Sequence, residues 1–236
     1  MLSVAEIFSC TVWLVFGRNT DPALAPIATL PASRETVDVA YFWVITRYFI
    51  DYLLSNPMAY SLPWLLTQSA PKFLFFWGHT PKQAGAVDKS CFSQWFPAAF
   101  TVAKETYPTA EHWMMAEKAR LFENEDVRQR ILAARHPNEA KKLGRQVKNF
   151  DPARWDEVKF NLVVSGNFYK FSQHAALRDY LLATGNQVLV EASPVDAIWG
   201  IGLAADHPDA AQPANWRGEN LLGFALMAVR DQLRAA

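Results

Sequence analysis

The chain has 236 residues, with 23 Lys plus Arg against 23 Asp plus Glu, and is 51% hydrophobic and 19% charged. This balance excludes a disordered chain and an overall basic field that would capture nucleic acid or anionic membrane nonspecifically, so any phosphate site must be local. The two cysteines, Cys10 and Cys91, form neither a disulfide framework nor a CxxC ligand pair, which makes a reducing cytoplasm the expected location.

Residues 1–70 carry three basic residues (Arg18, Arg34, Arg47), five acidic ones and no lysine, whereas the remainder holds 20 basic and 18 acidic residues. The opening MLSVAEIF has Glu6 and no Lys or Arg ahead of the short apolar stretch Cys10–Phe16, so no secretory signal is expected. Arg47, Asp51, Asn56 and Pro57 interrupt the apolar run from Ala40 to Leu66, leaving no uncharged stretch of the ~18 residues that a membrane helix needs. Pro22, Pro26 and Pro31 mark a linker, and Val37–Leu54 reads as a docking helix that Asn56-Pro57 would end. Residues 1–70 are therefore expected to be an N-terminal helical extension and residues 71–236 the main domain.

After Pro71, KFLFFWG reads as a buried strand, followed by a polar loop over Thr80–Ser90. Pro108-Thr109 predicts a helix capped by Thr109 and running to about Phe122; Asn124 caps a second helix through Arg135, and His136-Pro137 opens a third that ends around Lys148. Asp151-Pro152 opens the longest helix, with Trp155, Val158, Leu162 and Tyr169 at helical spacing, and Ser172 caps a fifth that Gly185 stops. Gln187–Glu191 is a strand. The following SPVDAIWGIGLAADHPDAAQPANWRGEN is too rich in Pro, Gly and Asp to be regular, so this long loop is a candidate wall of a site. Leu222, Ala225, Leu226, Val229 and Leu233 form the apolar face of a final helix. The pattern is α+β, mainly α-helical, with a few short strands.

TAEHWMMAEKA (109–119), AKKLGRQVK (140–148), ALRDYLLATGNQVLVEAS, DAIWGIG (196–202) and NLLGFALMAVRDQL (220–233) occur in this order around a long helix. Over about residues 73–234 the chain resembles the NADAR family, which is associated with NAD and ADP-ribose metabolism. The resemblance implies a YbiA-like single domain and an N-glycosidase. Family activities include hydrolysis of phosphoribosylated riboflavin-pathway intermediates and removal of ADP-ribose from guanine. Met115 stands where the helix motif often has Gln. The implied partner is a small phosphoribosylated or ADP-ribosylated molecule, or an ADP-ribosylated nucleic-acid base, with no membrane involved.

Cleaving an N-glycosidic bond builds positive charge on the sugar, so the site needs carboxylates to stabilise that charge and to take a proton from water. Glu111 and Asp196 are the candidates. Glu111 falls at the second helical position, where the helix dipole favours an ionised carboxylate, although an acid in a first turn is also ordinary capping chemistry. Lys118 lies seven residues on, about 10 Å along the same face at roughly 1.5 Å per residue, and could meet a phosphate or carbonyl; its alternative is a solvated lysine. His112 points elsewhere and reads as a supporting substrate contact. Lys141, Lys142, Arg145 and Lys148 form a basic stripe, which is either a solvated face or a phosphate site, with Arg145 offering the planar fork. Trp199 and Gly200 suggest a nucleobase slot, against the alternative of a buried structural Trp. Asn220 opens the last motif and is included among the substrate-binding residues.

Asp206, His207 and Asp209 lack a recognised ligand spacing, so no catalytic metal and no cofactor is expected. Absence of a P-loop, a GxGxxG and a GxSxG leaves the kinase, dinucleotide-dehydrogenase and hydrolase-elbow readings without support. The alternatives to an enzyme are a non-catalytic ADP-ribose or nucleotide-binding module and a structural interaction protein.

Overall fold

A computed structural model describes residues 59–235; the helix expected over Val37–Leu54 lies outside the described residues. In chain order the elements are α1 (Leu62–Leu66), β1 (Phe73–Phe76), β2 (Phe100–Val102), β3 (Glu105–Tyr107), α2 (Ala110–Leu121), α3 (Glu125–Leu132), α4 (Pro137–Gly144), α5 (Pro152–Gln173), α6 (Ala175–Ala183), β4 (Val188–Glu191) and α7 (Leu221–Ala235). Single 3-10 turns occupy Lys89–Phe92 and Pro213–Asn215. The fold is mainly helical α+β.

Helix α2 lies at the centre. Residues Ala110 to Ala116 are all buried, because α3, α4 and α5 pack around it; a helix enclosed in this way has no solvent stripe to show. Close approach is made possible by glycine. A Cβ at Gly166 on α5 would lie 2.3 Å from the Trp113 ring, whose indole N–H donates to the Leu162 carbonyl at 2.8 Å. Helix α7 packs on α5 and on β4, and β4 pairs in parallel with β1, from Phe73 opposite Val188 to Phe76 opposite Glu191. The two strands therefore end together at their carboxyl ends.

Helix bounds differ from the sequence reading, and the structure adds a hairpin; the second helix stops at Leu132, three residues short of Arg135, and Asn124 makes no side-chain capping bond. The fifth helix begins after His174, not at Ser172, because Gln173 exchanges two hydrogen bonds with the Thr101 backbone and His174 bonds the Ala99 carbonyl at 2.8 Å, which breaks α5 from α6. The third predicted helix stops at Gly144, four residues short of Lys148. The β2–β3 hairpin turns on Ala103 and Lys104 at φ 48° and 71°, positions that Asn-Gly normally marks.

The core also extends ahead of residue 71, where the main domain was expected to begin. Ser61 caps α1, Leu65 of α1 is 2% exposed within the core, and the Tyr60 hydroxyl bonds the Asp231 carboxylate on α7. No helix among the described residues is long and apolar enough to cross a membrane.

Candidate active site

Thr109 caps α2 by accepting from the His112 amide, and Glu111 follows at the second position with its own amide donating to the Gln94 carbonyl at 2.9 Å. The Glu111 side chain is 3% exposed and its Oε1 has no hydrogen-bond partner. Burial pushes its carboxyl up to about 7; Lys141, the Trp95 side chain and Arg145 oppose this and Asp196 reinforces it. The expectation that the helix start favours the ionised form is thereby reversed: taking the charge out of water outweighs the dipole. Such a carboxyl exchanges its proton near neutral pH.

Helix α4 brings the cations. A Cβ at Gly144 would lie 2.2 Å from Met115 Sδ, and Met115 is one turn beyond Glu111 on the same face of α2. The bare glycine lets the two helices touch there. Met115 thus fills the helix contact where the family motif often has Gln. Lys141 lies within α4 and Arg145 is its C-terminal cap residue, whereas Lys148 is beyond the helix, with its amide donating to Asn124 Oδ1 at 2.9 Å. The expected stripe is therefore broken after Arg145.

Two further elements complete the site. The Trp95 ring lies 5.9 Å from Lys141 Nζ and 5.7 Å from the His79 ring. Its loop is fixed from below by Lys170, fully buried on α5, whose ammonium donates to the Cys91 and Ser93 carbonyls at 2.6 and 2.9 Å. Burial lowers the Lys170 pKa to about 8. After β4, Asp196 Oδ1 accepts from the Ile198 and Trp199 amides at 3.0 and 2.8 Å, so Asp196 shapes its own turn, and its charge also reaches Glu111.

The sequence-predicted residues divide into two groups. Glu111, Asp196 and Arg145 are brought together. Lys118 is turned away, its ammonium 4.0 Å from the Phe150 ring centroid and 5.8 Å from that of Trp155, with its pKa lowered by burial. His112, expected as a substrate contact, is fully buried, with Nδ1 bonded to Thr109 Oγ1 at 2.8 Å and Nε2 to the Ala134 carbonyl at 3.1 Å. Both nitrogens are engaged, so it braces the helix start.

Asn220 is likewise buried and adopts φ 56°; its Oδ1 accepts from the Glu191 amide at 2.9 Å and its Nδ2 donates to the Leu189 carbonyl at 3.0 Å. It holds the end of β4. Gly200 supplies closeness between backbones and not room for a ligand: its Cβ would lie 2.8 Å from the Glu191 carbonyl. Trp199 is half-buried against the core. Asp209 and His207 serve the loop itself, the Asp209 amide donating to His207 Nδ1 at 3.1 Å.

Trp95 and Glu191 were not singled out in the sequence, and Lys141 was weighed only as part of the stripe. For Glu191 a signal existed, namely an acid closing a buried β-branched run, since ligands gather beyond the carboxyl ends of parallel strands. Nothing in FSQWF distinguishes Trp95.

The NADAR domain model matches residues 75–234. The chain belongs to the NADAR family. It is 43% identical over 166 residues to N-glycosidase R617 of Acanthamoeba polyphaga mimivirus, covering 68% of this chain and 96% of that one. To N-glycosidase Npun_R5314 of Nostoc punctiforme it is 35% identical over 144 residues, 61% of this chain and 85% of the relative. The solution structure of the E. coli protein YbiA superimposes with a TM-score of 0.57 at 30% identity, covering 71% of this chain and 88% of YbiA. All of the site residues described above lie within the NADAR match.

Proposed function

We propose that this NADAR protein hydrolyses the bond between a ribosyl carbon and a nitrogen, in phosphoribosylated pathway intermediates or in ADP-ribosylated guanine. R617 and Npun_R5314 are both named N-glycosidases, and this chain is a hydrolase of the same kind. The observation that carries the reading is Glu111: a buried carboxyl with a free oxygen, a hydrogen bond from the Trp95 side chain, and the charges of Lys141, Arg145 and Asp196 acting on it. A group that takes up a proton near pH 7 suits general-base attack of water, and its ionised form faces a sugar carbon gaining positive charge. Arg145 is exposed, and its backbone amide bonds the end of α4 while its guanidinium forms no hydrogen bond or ion pair among the described residues, so its fork is free for a phosphate. Trp199, half-buried against the core, is proposed as the stacking partner of the base.

The test is incubation of the protein with phosphoribosylamino-pyrimidines, ADP-ribosylated guanosine, NAD and ADP-ribose, with mass spectrometry of the products. Release of free ribose phosphate or ADP-ribose from one of the N-linked substrates supports the reading. Calorimetric binding without product would assign a binding module instead.

A further inference from the structure

Glu191 ends β4 and is held on every side by backbone. Its amide donates to Asn220 Oδ1, its carbonyl accepts from the Ile201 amide at 2.9 Å, and Gly200 presses against that same carbonyl. Its side chain, by contrast, is unused: Oε2 is buried with no hydrogen-bond partner. Such an orphan costs about 1–3 kcal/mol, and the site contains two of them, since Glu111 Oε1 is the other. The charges of Lys141 and Asp196 act on both carboxyls, and the Asp196 backbone lies beside that of Glu191, a Cβ at Gly200 falling 2.8 Å from the Glu191 carbonyl and 3.0 Å from that of Asp196. With Arg145 acting on Glu111 as well, two cations stand against three carboxylates, and the excess of negative charge in a buried place is relieved when a carboxyl keeps its proton.

Resting on the N-glycosidase reading, we infer that Glu191 is a second proton-handling carboxyl of this site, the acid that protonates the departing nitrogen while Glu111 takes a proton from water. The step balances. The carbon–nitrogen bond breaks with its electron pair passing to nitrogen, which receives the Glu191 proton. The water oxygen bonds to the ribosyl carbon and its proton passes to Glu111. Return of that proton from Glu111 to Glu191 through solvent resets the site, and the sum is hydrolysis. The ordering of the two groups follows their partners: Glu111 accepts a hydrogen bond from the Trp95 side chain, which favours its ionised form, whereas Glu191 Oε2 accepts none, and burial with Asp196 raises the Glu191 carboxyl to about 8. Glu191 is therefore the carboxyl with a proton to give and Glu111 the one whose charge is supported.

Leaving-group dependence provides the experiment. Glu191→Gln keeps the shape and cannot deliver a proton, so kcat on an amine-linked phosphoribosyl substrate should fall by about 10² or more. On a 4-nitrophenyl phosphoriboside, whose leaving group needs no proton, it should stay within about tenfold of wild type. The high-pH fall of the wild-type kcat profile should disappear in the variant. Equal losses on both substrates, or wild-type rates on both, would overturn the acid role. A readout independent of turnover is the carboxyl carbon of Glu191, observed by 13C NMR in the wild-type protein and assigned through Glu191→Asp. A protonated signal at pH 6.5 supports the inference, and an ionised one overturns it even if Glu191→Gln fails to fold. If the wild type cleaves neither substrate, the N-glycosidase reading fails, while the NMR signal still reports on the proton.

Discussion

Replacing Glu111 by Gln removes a charge that the folded chain must otherwise bury at 3% exposure. The carboxyl moves from 4.5 to about 7 on folding, and each unit is worth about 1.4 kcal/mol, giving a penalty on the order of 3 kcal/mol for the ionised group. The sign is fixed by the direction of the shift. A raised carboxyl binds its proton more tightly in the folded state, so its contribution to stability is complete below pH 4.5 and is lost as pH rises through about 7. Glutamine has no proton to lose. The variant and the wild type should therefore differ by a constant amount at low pH, and the variant should gain on the wild type between pH 5 and 8.5. At about 2–4 °C per kcal/mol for a chain of this size, the relative gain in Tm approaches ~6–12 °C. Thermal or urea unfolding at four pH values across that window measures it directly. Parallel curves for the two proteins would refute the reasoning, as would a variant that loses ground at high pH. Over the same series kcat should be down by about 10², so that a gain in stability accompanies a loss of turnover.

Arg145→Lys keeps the charge and loses the fork, and should raise KM for a phosphorylated substrate several-fold more than for its dephosphorylated analogue; equal effects would make Arg145 a structural residue. Asn220→Ala removes two hydrogen bonds at a left-handed position, and unfolding curves should show a loss of ~2–4 kcal/mol. Gly218→Ala places a Cβ 2.4 Å from the Gly200 carbonyl and 2.7 Å from the Ala197 backbone; backbone cannot yield as a side chain can, so both activity and Tm should fall, and an unchanged Tm would contradict the geometry. A chain starting at Ala59 should fold and turn over substrate. One starting at Pro71 loses Leu65 from the core and the Tyr60–Asp231 bond, and differential scanning calorimetry should show it less stable by at least ~2 kcal/mol.

The helix starts were legible because capping chemistry is local. Thr109 and Asp151 each accept the amide bonds that their side chains predict, and Pro137 and Pro152 occupy the first turns of their helices. Less legible were features decided by partners distant in sequence. His174 ends one helix and begins another only because the strand backbone at residues 99 and 101 is beside it. The same division runs through the site. Glu111 and Asp196 belong to recognisable motifs, whereas the meeting of Glu191, Lys141 and Trp95 depends on Gly144 admitting α4 to α2 and on Lys170 holding the loop that carries Trp95. His112 and Asn220 share motifs with site residues, yet their side chains are spent on backbone groups. A motif records proximity in the chain, and that includes residues that merely hold the others.

The long segment between β4 and α7 is tied shut at its base. Five backbone bonds, from the Arg217, Glu219, Asn220, Leu221 and Leu222 amides to carbonyls of residues 197–201, close it there, so the outer lobe over residues 203–216 hangs from a fixed collar. Leu203, Ala210 and Trp216 pin the lobe to the core, but the exposed stretches between these anchors can vary in length with only a slow entropic cost, and the collar isolates Asp196 and Glu191 from the change. Insertions confined to the stretches between those anchors, such as around Ala205 and Asp206, would leave the carboxyls in register, which gives the fold a place where chain can be added without disturbing the chemistry.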